Sequence, residues 1–272
     1  VIVFPNCKIN LGLQILRKRA DGYHDLATVF YPVQLLDALE VIQDATGAAD
    51  VTLSLSGLPV KGDLSDNICV KAYRILKKDF QKLPPVRMHL HKTIPSGAGL
   101  GGGSADGAFT LLALNQKFRL ELDEDQLVQY ALELGSDCPF FIPNKPCFAT
   151  GRGEIMEPIA LDLSSYQVLL VNPGIHINTG WAFSQLRPDA SKPDLRSIIQ
   201  QPIDTWKNDL VNDFEEAVFT SHPEVGQLKE YIYAKGALYA SMSGSGSTVF
   251  GIFSNDIKIQ KDFPEHYFIH IM

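Results

Sequence analysis

Between Pro95 and Ser104 the chain reads Pro-Ser-Gly-Ala-Gly-Leu-Gly-Gly-Gly-Ser, with five glycines inside seven residues. Glycine reaches backbone angles that a Cβ forbids, and it lets the main chain approach another group closely. The flanks restrict what such a loop can be. Val86-Arg87-Met88-His89-Leu90-His91 alternates apolar and polar side chains and predicts a strand. Ala105 through Leu114 predicts a helix with Ser104 at its start. Strand, glycine loop and helix N-terminus together gather unpaired N–H groups and the positive end of a helix dipole. The stretch Pro95, Ser96, Gly97, Ala98, Gly99, Leu100, Gly101, Gly102, Gly103 and Ser104 is therefore expected to hold an anion, phosphate above all.

A Walker A loop ends in Gly-Lys followed by Ser or Thr, and no lysine lies between Lys92 and Lys117, which excludes it. Gly97, Gly99 and Gly102 satisfy the G-x-G-x-x-G of a dinucleotide turn, a pattern that any glycine-dense run matches by chance. That turn belongs after the first strand of its domain and leads to an acid ending the next strand. Here several strands precede the loop, and Glu121 is a poor acid for the role. The loop also resembles the Pro-x-x-x-Gly-Leu-Gly element of the small-molecule kinases that include galactokinase, homoserine kinase and mevalonate kinase.

A formal net charge of −7 opposes a nucleic-acid partner, so a bound phosphate must be met locally, by Lys8, Lys92 and the helix start. The 272 residues suffice for two domains, with a boundary expected near Pro143-Asn144-Lys145-Pro146, giving 1–148 and 149–272. Cys7, Cys69, Cys138 and Cys147 form no C-x-x-C pair and fit reduced thiols. The first residues lack a basic region leading into an apolar core, and no apolar run approaches the ~20 residues of a membrane span. The expectation is a cytoplasmic protein with no membrane partner.

Residues 7–15 alternate, with Lys8, Asn10, Gly12 and Gln14 on one face of a strand, which reads as a half-exposed strand with a solvated polar face. Asp21-Gly22 marks a turn with Tyr23 and His24 at its exit. A helix is expected over 66–80 with Asn67 in its first turn, and a second from the capping box at Asp123–Gln126 to Leu134, closed by Gly135. Asp137, followed by Cys138-Pro139-Phe140-Phe141, is either a partly desolvated general base or a turn aspartate. Residues 184–206 are turn-rich, and Ser241–Thr248 is a second glycine–serine loop leading into a strand. His89 and His91 share a strand face but lack the partner spacing of a metal site, so no metal ligand is expected from the protein's own clusters.

Taken together, Pro5-Asn6-Cys7-Lys8-Ile9-Asn10-Leu11-Gly12-Leu13, Arg19 through Phe30, Gly99–Ser104, Gly135–Phe140 and Ser243–Gly246 resemble, in order, the motifs of the 4-diphosphocytidyl-2-C-methylerythritol kinases. These belong to the GHMP kinases and serve non-mevalonate isoprenoid synthesis. The resemblance implies an α+β fold of two domains, the first like domain 2 of ribosomal protein S5 and the second ferredoxin-like. It implies transfer of the ATP γ-phosphate to the 2-hydroxyl of a cytidine-diphosphate-linked polyol, with Mg²⁺, by a monomer or weak homodimer. By motif position Asp137 is the general base and Lys8 its electrostatic partner. Asn10, Tyr23, His24, Phe30, Thr179 and Phe183 fall to the substrate, with Tyr23, His24 and Phe183 on the cytosine. Asn67 and Lys92 join the glycine loop around ATP. Ala105 stands where the family usually carries a second serine, which removes one hydroxyl from the helix start. Readings set against this one are a related kinase for homoserine or mevalonate, a Rossmann oxidoreductase, and a nucleotide sensor without turnover.

Overall fold

The computed structural model describes residues 1–47, 49–260 and 262–272, and they form an α+β structure. The strands are β1 (Ile2–Val3), β2 (Asn6–Lys18), β3 (His24–Leu36), β4 (Ala38–Gln43), β5 (Val51–Gly57), β6 (Val86–Lys92), β7 (Cys147–Thr150), β8 (Ile155–Pro158), β9 (Tyr166–Asn172), β10 (Tyr239–Met242), β11 (Val249–Ser254) and β12 (Phe268–Ile271). The helices are α1 (Ile68–Asp79), α2 (Gly102–Phe118), α3 (Glu124–Leu134), α4 (Thr179–Ser184), α5 (Leu195–Ile199), α6 (Trp206–Asp209), α7 (Phe214–Ser221) and α8 (Pro223–Ala234).

Two compact units arise, and they do not follow the chain-order division at 148/149. One gathers Val1–Cys7, Val33–Ser96 and Gly101–Lys145; the other gathers Lys8–Pro32, Gly97–Leu100 and Pro146–Met272. The reason is burial. Leu13, Ile15 and Leu26 of the early hairpin pack in one core with Leu169, Val171, Phe214 and Val249, far along the chain. Apolar area removed from water, not sequence order, decides where a hairpin belongs.

In the first unit the sheet order is β1-β4-β6-β5, with β5 parallel to β6 and the other pairs antiparallel. Val86, Met88 and Leu90 of β6 share a core with Tyr73, Leu76, Leu111 and Leu114 from α1 and α2. The period of two that predicted β6 is what puts these three on the covered face. On the other face His89 meets the hydroxyls of Ser54 and Ser56 at 2.8 Å each, and His91 meets Ser56 at 2.9 Å. Asn67 caps α1 instead of lying inside its first turn, its side chain accepting from the Cys69 amide. The Asp123–Gln126 capping box opens α3 with both reciprocal bonds, and Gly135 ends it.

The second unit holds the sheets β2-β3-β7-β8 and β10-β11-β9-β12. Its first sheet corrects the expected solvated face of β2: Lys8, Asn10, Gly12 and Gln14 are as buried as the apolar residues between them. The turn-rich stretch after residue 184 supplies part of the cover. It carries α5 and α6, and a Cβ on Gly12 would lie 2.8 Å from Leu210 and 3.0 Å from Leu195.

Candidate active site

The glycine loop turns its carbonyls into the protein. Within the second unit Thr248 N–H donates to the Ala98 carbonyl at 3.2 Å, the Ser243 hydroxyl to that of Gly99 at 2.8 Å, and Lys8 N–H to that of Leu100 at 2.9 Å. Carbonyl oxygens facing a phosphate would repel it, so this is the orientation an anion loop needs. Gly99 has φ +78°, and a Cβ there would fall 2.0 Å from the Ser243 carbonyl oxygen. Only glycine permits that approach. Ser96 and Gly97 are exposed, and Ala98 and Leu100 are buried.

In the first unit α2 begins one turn earlier than expected. Gly101, at φ 70°, is its N-cap, no side chain caps it, and Ser104 lies inside the first turn. Gly102 is required by Ile94, whose Cγ2 would lie 2.7 Å from a Cβ, whereas a Cβ on exposed Gly103 would meet nothing within 4 Å. The first-turn N–H groups and the dipole thus face open space at Gly103. The buried Cys138 thiol, pushed up to about 12 by burial, hydrogen-bonds Ser104. Asp137, half-buried, stands in the turn that starts the short 3-10 helix Cys138–Phe141, with no side-chain cap bond to it.

Lys92, expected beside the nucleotide, is enclosed by two acids. Its ammonium is buried against the Asp37 carboxylate and lies 2.6 Å from Asp106 Oδ2, with side-chain exposures of 2%, 0% and 4% for the three residues. Asp37 Oδ1 also accepts from the amides of Thr93 at 2.6 Å and Ile94 at 2.9 Å. The cluster ties the residues before the glycine loop to the second turn of the helix after it. Burial, seconded by Asp37, pushes the Asp106 carboxyl up to about 7 against the pull of Lys92. Asp37 and Asp106 escaped the sequence reading because their partners are 55 and 14 residues distant.

In the second unit, the Lys8 ammonium donates to Asn10 Oδ1 at 2.6 Å and lies 4.6 Å from the Phe30 ring centroid. Phe30 is 3% exposed, so it faces the lysine and is not an open stacking platform. His24 and Phe183 stack with centroids 5.1 Å apart and planes inclined by 18°. Burial, with the charge of Lys18 added, holds His24 below its ordinary value of 6.5, so its imidazole is neutral at pH 7. Tyr23 is 55% exposed and carries the Arg152 guanidinium 5.0 Å from its ring. Thr179, exposed at the start of α4, meets the Ser245 hydroxyl at 3.1 Å. The structure therefore brings Lys8, Asn10 and Phe30 together, and separately His24 and Phe183. Sequence reasoning gave no site role to Ser243, which accepts from the Asn10 backbone N–H at 3.3 Å while donating to the Gly99 carbonyl. Its place in the second glycine–serine loop was the available signal.

Among the described residues, no group of three or more His, Cys, Asp or Glu could hold a metal ion. No helix there is long and apolar enough to cross a membrane.

Comparison with known proteins gives three findings. Residues 67–144 match the GHMP kinases N terminal domain, and residues 193–267 match the GHMP kinases C terminal domain. The chain is 52% identical over 261 residues to a 4-diphosphocytidyl-2-C-methyl-D-erythritol kinase of Bacteroides fragilis, covering 96% of this chain and 95% of that protein. It is 51% identical to the kinase of the same name from Bacteroides thetaiotaomicron, covering 93% and 92%. Among solved structures, a 4-(cytidine 5'-diphospho)-2C-methyl-D-erythritol kinase matches with TM-score 0.78 at 32% identity, over 93% of this chain and 90% of that one. The mevalonate kinase of Methanococcus jannaschii matches with TM-score 0.70 at 13% identity, over 94% and 92%, and speaks for the fold alone.

Proposed function

Because the chain belongs to the GHMP kinases, in their 4-diphosphocytidyl-2-C-methyl-D-erythritol kinase branch, we propose that it moves the γ-phosphate of ATP to the 2-hydroxyl of that cytidyl substrate. The observation that carries this reading is identity at half of all positions, over nearly the whole length, to kinases of that name.

The geometry supports distinct roles. The uncapped start of α2, with Gly103 open, receives the ATP phosphates. Lys92 holds the loop's flanks from beneath and does not bind phosphate. Asn67 contributes beside the nucleotide, its side-chain oxygen already spent on the α1 cap. Asp137 takes the proton of the attacking hydroxyl, and Lys8, its ammonium set by Asn10 and Phe30, supplies the positive charge that the transfer needs. Asn10 also holds the methylerythritol. His24, Phe183 and Tyr23 take the cytosine, with Thr179 at the edge of that site.

Mg²⁺, when bound with ATP, would supply charge neutralisation for the phosphates and would need few protein groups to hold it. Ser104 offers the one hydroxyl left in that turn, so the residues present fit such a sparse site without a cage. The four cysteines are buried and none is in a disulfide, which supports a reducing, cytoplasmic setting. We infer a monomer or weak homodimer.

The test is the product. Phosphorus NMR of a completed reaction should show one new monoester signal, on the 2-hydroxyl, beside an intact diphosphate pair. A phosphate on any other hydroxyl of the substrate contradicts the proposed regiochemistry.

A further inference from the structure

Four polar groups of β2 and β3 form a closed hydrogen-bond sequence behind Lys8. The Lys8 ammonium donates to Asn10 Oδ1 at 2.6 Å, and Asn10 Nδ2 donates to Thr28 Oγ1 at 2.9 Å. The Thr28 hydroxyl in turn donates to the Gly12 carbonyl at 2.6 Å. Lys8, Asn10 and Thr28 are 4%, 2% and 0% exposed, so no bulk water competes for these bonds.

The direction of each bond follows from proton counting. A hydroxyl has one proton, and a carbonyl oxygen can only accept. The Thr28 proton therefore belongs to Gly12, and the oxygen shows Asn10 only lone pairs. Asn10 must answer with its NH₂, which leaves its carbonyl oxygen for Lys8. Turning the amide over would set oxygen against oxygen at Thr28 and NH₂ against the ammonium at Lys8. Without Thr28 the Lys8 ammonium alone orients the amide, and the NH₂ end of Asn10 loses the acceptor that holds it in place.

We propose that Thr28 is a positioning residue for the phosphoryl transfer, its hydroxyl fixing the Asn10 amide and thereby the placement of the Lys8 ammonium. This rests on the role given to Lys8 above. Thr28 touches no reacting atom in this account and acts only through Asn10. The strand sequence Leu26-Ala27-Thr28-Val29-Phe30 carries it as a single polar residue in an otherwise apolar run.

The experiment compares Thr28→Val, which keeps the shape and loses the hydroxyl, with Thr28→Ser, which keeps the hydroxyl. Steady-state kinetics with ATP and the cytidyl substrate are measured well below each variant's melting temperature. Thr28→Val should lose about 10-fold in kcat, with the KM for ATP within about twofold, and Thr28→Ser should stay within about threefold of wild type. In an Asn10→Ala background the Val change should cost no more than about twofold further, because the residue it acts through is gone. A Thr28→Val enzyme with wild-type kcat, or losses that simply multiply in the double variant, overturns the proposal. If Thr28→Val does not fold, the wild type decides: the Asn10 side-chain NH₂ should show NMR contacts to Thr28 and not to the Lys8 ε-methylene, and the reverse overturns it. Wild-type turnover separates the layers. A wild type active on the cytidyl substrate beside an equally active Thr28→Val removes Thr28 alone, whereas an inactive wild type removes the reading of Lys8 and this role with it.

Discussion

Replacing Lys92 by Met is the sharpest perturbation of the glycine loop's foundation. It removes the one cation from a cluster whose side chains are 2%, 0% and 4% exposed, and leaves Asp37 and Asp106 out of water without it. Breaking a buried pair on one side costs about 3–5 kcal/mol, because the remaining charge keeps its desolvation penalty. At about 2–4 °C per kcal/mol for a chain of this size, melting at pH 8 should fall by about 6–20 °C. The loss should shrink at low pH. Burial raises the folded-state Asp106 to about 7 from an ordinary 3.8, so the folded chain binds more protons than the unfolded one in that window. Stability from this group is then fully present below about pH 4 and falls as pH rises toward 7. Removing Lys92, which pulls the other way, widens the window upward, so the deficit at pH 5.5 should be smaller than at pH 8. Thermal unfolding across pH 5–9 measures this, and Lys92→Met with Asp106→Asn should recover part of the loss by removing one of the two acids. A Lys92→Met protein that keeps its stability at pH 8 but binds ATP weakly refutes the reasoning and returns the lysine to the phosphates.

Four further outcomes are expected. Gly99→Ala forces its Cβ to within 2.0 Å of the Ser243 carbonyl unless the loop moves, and a shift of that order should cost about 100-fold in kcat/KM for ATP. Gly103→Ala, by contrast, meets no protein atom within 4 Å, so it should melt like wild type while its KM for ATP rises; an unchanged KM would remove the phosphates from that turn. Asp137→Asn should fold normally and lose about 10²–10⁴-fold in turnover, and near-normal turnover would take Asp137 out of the chemistry. Phe183→Ala, which removes the partner of the His24 stack, should raise the KM for the cytidyl substrate about 10-fold or more and leave that for ATP unmoved, as steady-state kinetics with each substrate varied will show.

What the sequence revealed was local. The glycine loop, the strand before it and the Asp123–Gln126 capping box depend on residues a few positions apart, and each formed where its chemistry predicts. The alternation of Lys8, Asn10 and Gly12 gave their common face but not its burial, since Gly12 on that face meets Leu195 and Leu210, nearly 200 residues later. The same distance hid which core the early hairpin joins, because Leu13 and Ile15 pack with β9 and α7. Lys92 looked like a phosphate group because a lysine ahead of a glycine loop shows no sign of its acids, Asp37 and Asp106. Ser104 looked like a cap because hydroxyls usually cap helices, whereas here Gly101 makes the turn with a left-handed φ and leaves the cap without a side chain.

The most direct test of the central claim is ADP release in the presence of Mg-ATP, with 4-diphosphocytidyl-2-C-methyl-D-erythritol, mevalonate and homoserine offered in parallel. The account predicts release that requires the cytidyl substrate and is absent with the other two. Release with mevalonate or homoserine, or with none of the three, would contradict it.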